Sequence, residues 1–436
     1  MSSKKPWFEE KVRTIDSNLR YHLQTMRSQV NQTATTMLPV IVQLKPETKE
    51  KQKEEIFDIF SKYSAADTSY SLGELPLFCS LYGKLNPQAI RTLTEHQNVV
   101  RIFYDRKVQA FLDIASKSTG ARDIQLEDGF TGKGITIAVL DTGIYPHPDL
   151  LQPTNRIKGF VDFVNQKTDP YDDQGHGTHC AGDAAGNGYK SEGLYAGAAP
   201  EANLVGVKVL DEHGAGRLST VIRGVEWCIE NKERYQIRVI SLSLGSTALE
   251  SYRDDPMAQA VEKAWHHGIV VCAAAGNEGP STGTISTPGN DPLIITVGAA
   301  DDRNTLDRDD DIRAPFSSLG PTPDGLVKPD IYAPGADIIS LSAPDSQLEM
   351  QLPESRVSEH YIRLSGTSMA TPFCAGVAAT LLEANPFLSP NDIKSILMST
   401  SSILEGEQAG YIDVKQSLQI AKQYLEFQKA QQKVHP

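Results

Sequence analysis

The 436-residue sequence has few cysteines, no long apolar run and no excess of basic residues. Its five cysteines are an odd number, lie far apart and show no CxxC spacing, so neither a disulfide framework nor a zinc cluster is predicted. No uncharged apolar stretch reaches the length needed to cross a bilayer, and no membrane partner is predicted. The formal net charge of −13 argues against nucleic-acid binding, because phosphate contacts require concentrated Lys and Arg.

The first twenty residues are charged throughout and lack the apolar centre of a secretory signal peptide. Cysteines without pairing motifs are typical of a reducing compartment. We therefore expect a cytoplasmic protein. With 39% apolar and 22% charged residues the chain is typical of a soluble folded protein, and its length predicts more than one folding unit.

Three segments are predicted along the chain. Residues 1–36 are polar and mixed in charge, and we interpret them as an N-terminal extension. Residues 37–115 show the order strand, helix, strand, helix, strand, which predicts a small α+β unit of the split βαβ (ferredoxin-like) kind. Residues 116–436 change in character to strands that alternate with helices and form the third segment.

The third segment predicts an α/β fold with a doubly wound, mostly parallel sheet. Its apolar runs are short, rich in Val and Ile and unbroken, as in strands that are buried on both faces. These runs are 135–140, 204–210, 239–244, 269–275 and 294–299. Helices are predicted at 218–230 and 257–267, with Gly268 as the stop of the second, and Ser389 with Asp392 resembles a capping box. Ligand sites of such sheets lie just beyond the carboxyl ends of the strands.

Three polar residues stand at such positions. Asp141 follows the run ITIAVL, His176 lies between two glycines in DDQGHGTHCAG, and Ser368 opens an apolar helix in LSGTSMATP. Taken alone, Asp141 is more often a turn residue and Ser368 more often a helix cap. Here Ser365 or Thr367 could cap the helix, which would leave Ser368 free to project outward.

The segments DTGIYPHPDL, HGTHCAG, AAAGNEG and SGTSMATP together resemble the signature segments of the subtilase family, over about residues 134–382. The resemblance implies a subtilisin-like fold and a serine endopeptidase, with Ser368 as nucleophile, His176 as general base and Asp141 as the orienting carboxylate. It also implies that Asn277 donates to the oxyanion. Within the family, the HGTHCAG sequence is most similar to the corresponding segment of the cytoplasmic proteases of bacilli.

The resemblance further implies protein or peptide substrates, and no organic cofactor is required. An extended substrate would pair with an edge segment and place one side chain in a primary pocket. The edge residues are Ser243, Leu244 and Gly245. The pocket walls are 244–246 and 274–276, which include Ala275 and Gly276, and Ser286 is assigned to the pocket floor.

Two alternative functions stay open at this point. His176 and His179, with Asp172 or Asp173, are spaced so that they could hold a metal, which would make the protein a metal-dependent hydrolase. The other alternative is a catalytically silent member of the fold that binds peptides, because fold alone does not secure activity. Cys180 is expected close behind the general base as a small buried residue.

Calcium is frequently bound by subtilases, and Asp149 in HPDL resembles one ligand of their common site. The partner loop, AAGNGYKSEGLYAG, departs from the family's ligand-bearing loop. An acidic run could also hold a hard cation, although a solvated charged loop is the favoured interpretation. Its members are Asp301, Asp302, Asp307, Asp309, Asp310 and Asp311.

The unit from Met37 to about Asp113 more loosely resembles the inhibitory propeptide of subtilases. Such a unit can template a slow-folding parallel sheet and block the cleft with its tail. We therefore expect the chain's own N-terminal propeptide to be one of its partners.

Overall fold

The computed structural model describes residues 6–11, 14–15, 17–28, 37–63, 73–75, 79–104 and 112–434. The chain divides into two compact units, Met1–Gln109 and Ala110–Pro436. The boundary expected after residue 115 falls inside the helix Leu112–Ser118, and Ala115 of that helix is buried in the core of the larger unit. The larger unit therefore begins before the expected boundary.

The smaller unit contains a four-stranded antiparallel sheet in the order β2-β3-β1-β4. Alternate residues of β1 are buried, because successive side chains of a strand point to opposite faces. Helices α3 and α4 follow β1 and β3 and supply the remainder of this core. The strands are β1 (Leu38–Leu44), β2 (Gly73–Leu75), β3 (Ser80–Leu85) and β4 (Val99–Tyr104), and the helices are α1 (Trp7–Glu10), α2 (Ser17–Ser28), α3 (Glu50–Tyr63) and α4 (Pro87–Thr94).

The first residues do not form a separate extension. Phe8, Ile15, Leu19 and Leu23 are buried in the same core as the strands of the smaller unit. Ile102 of β4 donates its N–H to the main-chain oxygen of Thr14 at 2.7 Å. Sequence analysis missed this packing because the apolar residues are sparse among charged ones.

The larger unit is built on a ten-stranded, mostly parallel sheet, as predicted. Its order is β17-β18-β14-β12-β10-β8-β5-β7-β6, and β13 pairs with β12 outside that path. All neighbours are parallel except the pairs β12–β13 and β17–β18. The strands are β5 (Thr136–Asp141), β6 (Ile157–Asp162), β7 (Asn203–Lys208), β8 (Ile237–Leu242), β9 (Ser246–Thr247), β10 (Val270–Ala274), β11 (Ser286–Thr287), β12 (Ile295–Asp301), β13 (Ile312–Arg313), β14 (Ile331–Pro334), β15 (Ile338–Leu341), β16 (Tyr361–Leu364), β17 (Ser402–Ile403) and β18 (Gly410–Tyr411).

Helices cover both faces of this sheet. Leu140 and Asp141 are consecutive in β5 and so point to opposite faces. A Cβ added to Gly224 would lie 3.3 Å from Leu140, whereas one added to Gly177 would lie 3.0 Å from Asp141. The helices are α5 (Leu112–Ser118), α6 (Ala121–Asp123), α7 (Pro148–Leu151), α8 (His176–Ala185), α9 (Leu218–Glu230), α10 (Lys232–Tyr235), α11 (Pro256–His266), α12 (Gln347–Gln351), α13 (Thr367–Ala384), α14 (Pro390–Thr400) and α15 (Val414–Val434), with a π-helical turn at Ile124–Asp128 and 3₁₀ turns at Tyr189–Ser191, Arg308–Asp310 and Pro353–Ser355.

Several helix ends follow from local chemistry, and the expected ones are confirmed. Ser389 and Asp392 form a reciprocal capping box at the start of α14. Gly268, just after α11, has φ of +76°, a conformation that favours glycine and ends the helix. Within the described residues, no helix is both long and apolar enough to pass through a bilayer.

The sheet brings several chemically interesting segments to one edge. Strands β10, β8 and β5 are neighbours and run parallel. Asp141 ends β5, Ser243 directly follows β8, and Ala275 directly follows β10. Their carboxyl ends therefore meet at the same edge, the expected place for a ligand site.

Candidate active site

Asp141 and His176 are joined by a short hydrogen bond at this edge. His176 Nδ1 lies 2.8 Å from Asp141 Oδ1, and Asp141 is fully buried. The same carboxylate oxygen accepts the N–H of Thr142 at 2.7 Å. The hydrogen bond fixes the ring so that Nε2 is the nitrogen left for a second partner.

Two opposing effects act on the pKa of His176. Burial acts to lower it, because a charged ring loses hydration. Burial is the largest single effect, but the charge and hydrogen bond of Asp141, together with contributions from Cys180, outweigh it and raise the pKa of His176 well above 6.5. The ring therefore has the basicity that a general base needs, and its side chain remains 22% exposed.

Asp172 ties the turn after β5 to the start of α8. One of its oxygens accepts the Thr142 hydroxyl at 2.9 Å and the N–H of Gly175 at 2.8 Å, and the other accepts the N–H and hydroxyl of Thr178 at 2.8 and 2.6 Å. Asp172 therefore fixes the position of Asp141 relative to His176, because it binds Thr142, which follows Asp141, and Gly175, which precedes His176. Sequence analysis placed Asp172 only as a candidate metal ligand.

Ser368 lies at the second residue of α13 and is half-buried. Its main-chain oxygen accepts the Ser243 hydroxyl at 2.9 Å and the Cys180 thiol at 3.3 Å. The Cys180 sulfur also lies 3.8 Å from His176 Nδ1, so this thiol sits between the helix start and the imidazole. The Ser368 hydroxyl itself donates to the main-chain oxygen of Ser243 at 3.3 Å.

Asn277 is exposed and oriented from α13. Its Oδ1 accepts both the N–H and the hydroxyl of Thr367, at 2.9 and 3.0 Å. That leaves the Nδ2 hydrogens for a ligand. A Cβ added to Gly366 would lie 3.5 Å from Asn277 Nδ2 and 3.5 Å from the N of Ser368, so two N–H donors converge on the space beside this glycine.

The predicted substrate-binding segments lie against one another. Strand β9 pairs with β11, which places Ser286 beside Gly245: a Cβ added to this glycine would lie 3.1 Å from Ser286 Cβ. Ser286 also donates its N–H to Ala275 O at 2.9 Å, and its hydroxyl would be 2.5 Å from a Cβ at Gly276. Ser286 therefore lies between the two predicted pocket walls. Ser243 is buried, Leu244 is half-buried and Gly245 is exposed.

A cleft of about 540 Å³ opens on the other side of the edge segment. Its lining joins His176 and residues 243–246 to the loop after β7 and to apolar side chains of α9 and α11. The lining residues missed by sequence analysis are Thr142, Gln174, Leu210, His213, Gly214, Ala215, Gly216, Leu218, Val221 and Met257. The polar, Gly-rich segment DEHGAGR after a strand run was the signal that could have located this loop.

The alternative metal site does not form. His179 is fully buried, with Nδ1 at 3.0 Å from Asp183 and Nε2 at 3.2 Å from the main-chain oxygens of Ile338 and Ile362. Both ring nitrogens are therefore engaged by protein oxygen atoms inside the core, which disfavours metal binding at His179. Asp173 is paired instead with Lys208, at 2.7 Å.

One cluster of metal-ligand types does lie within the described residues, namely Asp141, His176 and Cys180. Burial raises the pKa of the Cys180 thiol to about 12. The thiol therefore stays protonated near neutral pH, and a metal would require the thiolate. This cluster fits proton transfer between Asp141 and His176 better than metal binding.

Asp149 is bound by protein donors, which disfavours the expected calcium site without testing it directly. Its Oδ1 accepts the N–H of Lys190 at 2.9 Å, and its Oδ2 accepts the Tyr361 hydroxyl at 2.6 Å. The guanidinium of Arg156 donates to its main-chain oxygen. Calcium takes about six to eight oxygen ligands, so protein donors on both carboxylate oxygens and on the main-chain oxygen disfavour an ion here. Lys190 belongs to the loop whose sequence departs from the family, and it contacts Asp149 through its main-chain N–H.

Comparisons with known proteins agree with this geometry. A family model described as "Subtilase family" matches residues 132–428. "Serine protease AprX" of Bacillus subtilis (strain 168) is 52% identical over 322 residues, which cover 72% of this chain and 72% of that protein. "Subtilisin E" of the same strain is 39% identical over 284 residues, which cover 63% of this chain and 62% of that protein.

Among solved structures, the crystal structure of a cold adapted subtilisin-like serine proteinase matches with a TM-score of 0.50 and 30% sequence identity. The match covers 71% of this chain and 91% of that one. The chain belongs to the subtilase family of serine proteases. It is thus a hydrolase, and both the predicted family and the predicted subtilisin-like α/β fold of the larger unit are confirmed.

Proposed function

We propose that the protein is a serine endopeptidase that cleaves internal peptide bonds of proteins and peptides through a covalent intermediate on Ser368. The observation that carries this proposal is the 2.8 Å hydrogen bond between His176 and the buried carboxylate of Asp141, beside the helix start that presents Ser368. A serine hydroxyl is a weak nucleophile without an adjacent base, and the base needs an anion to hold its tautomer. The chain supplies all three groups, so no cofactor is required.

In the proposed reaction, Ser368 forms and breaks the covalent bond and His176 moves the protons. The Ser368 oxygen attacks the carbonyl carbon while its proton passes to His176 Nε2. The C–N bond then breaks, and the same proton leaves with the amine, which gives an ester on Ser368. Water, deprotonated by His176, cleaves that ester and restores the serine hydroxyl. The carboxylate of Asp141 holds the ring of His176 in place and stabilises the imidazolium.

Two donors stabilise the tetrahedral intermediates. The Nδ2 of Asn277 and the N–H of Ser368 border the same small space beside Gly366, where a developing oxyanion would lie. The bonds from Thr367 to Asn277 Oδ1 preorganise the amide, so little reorganisation accompanies charge development.

The substrate is proposed to bind as an added strand along residues 243–245. Main-chain pairing tolerates many sequences, so selectivity comes from the pockets on either side. One pocket lies between residues 244–246 and 274–276, with Ser286 between them. The other is the cleft lined by Leu210, Leu218, Val221 and Met257, which suits an apolar side chain.

Asn277→Ala tests the oxyanion assignment. We expect kcat on an internally quenched peptide to fall about 10²- to 10³-fold with KM nearly unchanged, because the lost hydrogen bond forms only in the transition state; this magnitude is that of the corresponding change in subtilisin. Glu278→Ala, at the exposed neighbouring position, is the control and should keep kcat. An unchanged kcat, or a loss confined to KM, would contradict the assignment.

We further propose that the smaller unit is the chain's own inhibitory propeptide. It is a compact unit with its own apolar core, the organisation expected of a segment that folds and is then removed. The predicted end of the propeptide, near Asp113, follows residues 105–111, which lie outside the described residues.

Mass spectrometry of the purified active enzyme tests this role. We expect the mature chain to begin close to Ala110, and the Ser368→Ala chain, which cannot process itself, to keep its full length. An active enzyme that still carries the intact smaller unit, with no bound N-terminal fragment, would refute the propeptide role.

A cytoplasmic location is proposed from the cysteines. All five are free thiols, and Cys180, Cys228, Cys272 and Cys374 are buried. Thiols of this kind are typical of a reducing compartment. Cell fractionation followed by immunodetection tests the location, and recovery of the protein only outside the cell would overturn it.

A further inference from the structure

The acidic loop between β12 and β13 is not uniformly solvated. Asp307, Asp309 and Asp310 are exposed, as expected of a charged surface loop. Asp302 and Asp311, however, are only 4% and 5% exposed. The favoured interpretation of this run is therefore wrong for two of its carboxylates, and buried carboxylates require partners.

The strand register brings these two carboxylates together. In the antiparallel pair of β12 and β13, Ala300 is opposite Arg313 and Asp301 is opposite Ile312. Continued by one position beyond these pairs, the register would set Asp302 opposite Asp311, and the charge of Asp302 contributes to the raised pKa of Asp311. Residues directly opposite each other project to the same side of the ladder, and like charges in that relation are destabilising.

The oxygens of this pair lack donors. Within the described part of the chain, Asp302 Oδ2 and both carboxylate oxygens of Asp311 are buried without a hydrogen-bond partner. Asn304 Oδ1 is buried and unpartnered in the same way. The other oxygen of Asp302 accepts the N–H of Asn304 at 3.0 Å, which keeps this amide residue beside the carboxylate.

The guanidinium of Arg308 lies near Asp311 but forms its hydrogen bonds with other residues. Arg308 Nε lies 3.8 Å from Asp311 Oδ2, beyond hydrogen-bond distance. Its guanidinium donates instead to the Ser402 hydroxyl at 2.8 Å and to the main-chain oxygen of Ile412 at 3.1 Å. Burial is the largest effect on both carboxyls and raises the pKa of Asp302 and that of Asp311 to about 7; the charge of Arg308 lowers the pKa of Asp311 but does not cancel the effect of burial.

We propose that Asp302, Asn304 and Asp311 bind a calcium ion. Two carboxylates and an amide oxygen offer four unpartnered oxygen atoms and two negative charges, the hard-oxygen chemistry that calcium prefers. No nitrogen or sulfur ligand is among them, which disfavours zinc and copper. Calcium also accepts the irregular geometry of such a loop, whereas magnesium demands a near-ideal octahedron.

The ion would brace the segment that presents Ser368. Ala300, two residues before Asp302, accepts the N–H of Gly335 at 3.0 Å, and Gly335 in turn accepts the N–H of Gly366 at 2.8 Å. Calcium binding at the loop therefore stabilises the larger unit and the turn before the nucleophile. Stability and binding are the direct readouts, and neither depends on catalysis.

The test uses the full-length Ser368→Ala chain, which does not digest itself, after removal of divalent ions with a chelator. Titration with calcium chloride is followed by calorimetry and by thermal unfolding. We expect saturable binding and a rise in Tm of about 5 °C at saturation. The added change Asp302→Asn with Asp311→Asn should weaken this binding by at least about 100-fold and abolish its share of the Tm rise.

A matched control variant and the stability of the calcium-free proteins show whether a lost calcium response comes from the proposed ligands or from general damage to the loop. Asp309→Asn removes an exposed charge of the same loop and should keep the full calcium response. Without calcium, the doubly substituted loop should be at least as stable as the parent, because the buried like charges are gone. If the doubly substituted protein does not fold, Asp311→Asn alone is used, with an expected loss of at least about tenfold in affinity.

Two results would overturn the proposal. One is the absence of saturable calcium binding to the parent chain. The other is an equal Tm rise and equal affinity in the parent and in the chain with the substituted loop, which would place the ion elsewhere.

Discussion

Ser368→Ala is expected to lower kcat for peptide hydrolysis on the order of 10⁶-fold, the size that removal of the nucleophile has in subtilisin. The reason is that alanine has no oxygen to form the ester, whereas His176 and Asn277 alone offer only binding and charge stabilisation. The measurement is single-turnover hydrolysis of an internally quenched peptide at high enzyme concentration. KM should change little, since the Ser368 side chain contributes little to ground-state binding.

Ser365→Ala is the matched control for this prediction. Its exposed hydroxyl lies three residues before Ser368 and accepts the N–H of Asp337 at 2.7 Å. We expect kcat of this variant to stay within a few-fold of the parent. A Ser368→Ala protein that retains more than a small fraction of the parent rate would refute the nucleophile, and a parent protein that binds but does not cleave peptides would support the silent binder.

Asp141→Asn is expected to lower kcat about 10⁴-fold and to move the pH dependence of kcat/KM. His176 accepts a proton only when neutral, so the rate falls as pH drops through its pKa. In the parent, the charge and hydrogen bond of Asp141 are among the contributions that together outweigh burial and hold the pKa of His176 well above 6.5. The variant loses the charge but keeps the burial, so the acid limb shifts to lower pH. Profiles between about pH 5 and pH 10 measure both effects.

Asp169→Asn is the control for the pH experiment, because Asp169 is an exposed residue of the loop before His176. It should keep both the rate and the acid limb of the parent. An acid limb that stays in place in Asp141→Asn would contradict the assigned pairing of Asp141 with His176.

Much of the larger unit followed from apolar periodicity. The strand β5 and the helix α9 lie within a residue of their predicted bounds, because short unbroken Val/Ile runs and amphipathic repeats are strong local signals. The order of those signals also predicted a parallel sheet and its functional edge. Boundaries of units were predicted less well, since Ala115 joins the larger core through contacts that no local pattern encodes.

Part of the active site was predicted from segments that resemble a known family, and not from apolar periodicity. Asp141, His176, Ser368 and Asn277 stand in segments whose wording resembles a family, and the fold brings those segments to one edge. The role of Asp172 as the link between Asp141 and His176 depends on five hydrogen bonds across a loop, and a sequence does not display them.

Cation sites were the hardest feature to predict from the sequence. Asp149 stood in a family motif, yet Lys190 and Tyr361, both distant in sequence, occupy its oxygens. Asp302 and Asp311 stood in a run of acidic residues that is typical of a solvated surface. Their burial follows from the register of β12 and β13, which became visible only in the folded chain.

Fluorophosphonate labelling followed by peptide mass mapping shows directly whether Ser368 is a nucleophile that His176 activates. The reagent loses fluoride as its phosphorus bonds to an activated serine oxygen, so it reports a nucleophile paired with a base. We predict one adduct per chain, on Ser368, that is absent in Ser368→Ala and in His176→Ala. An adduct on another serine, or labelling of Ser368 that persists in His176→Ala, would contradict the account.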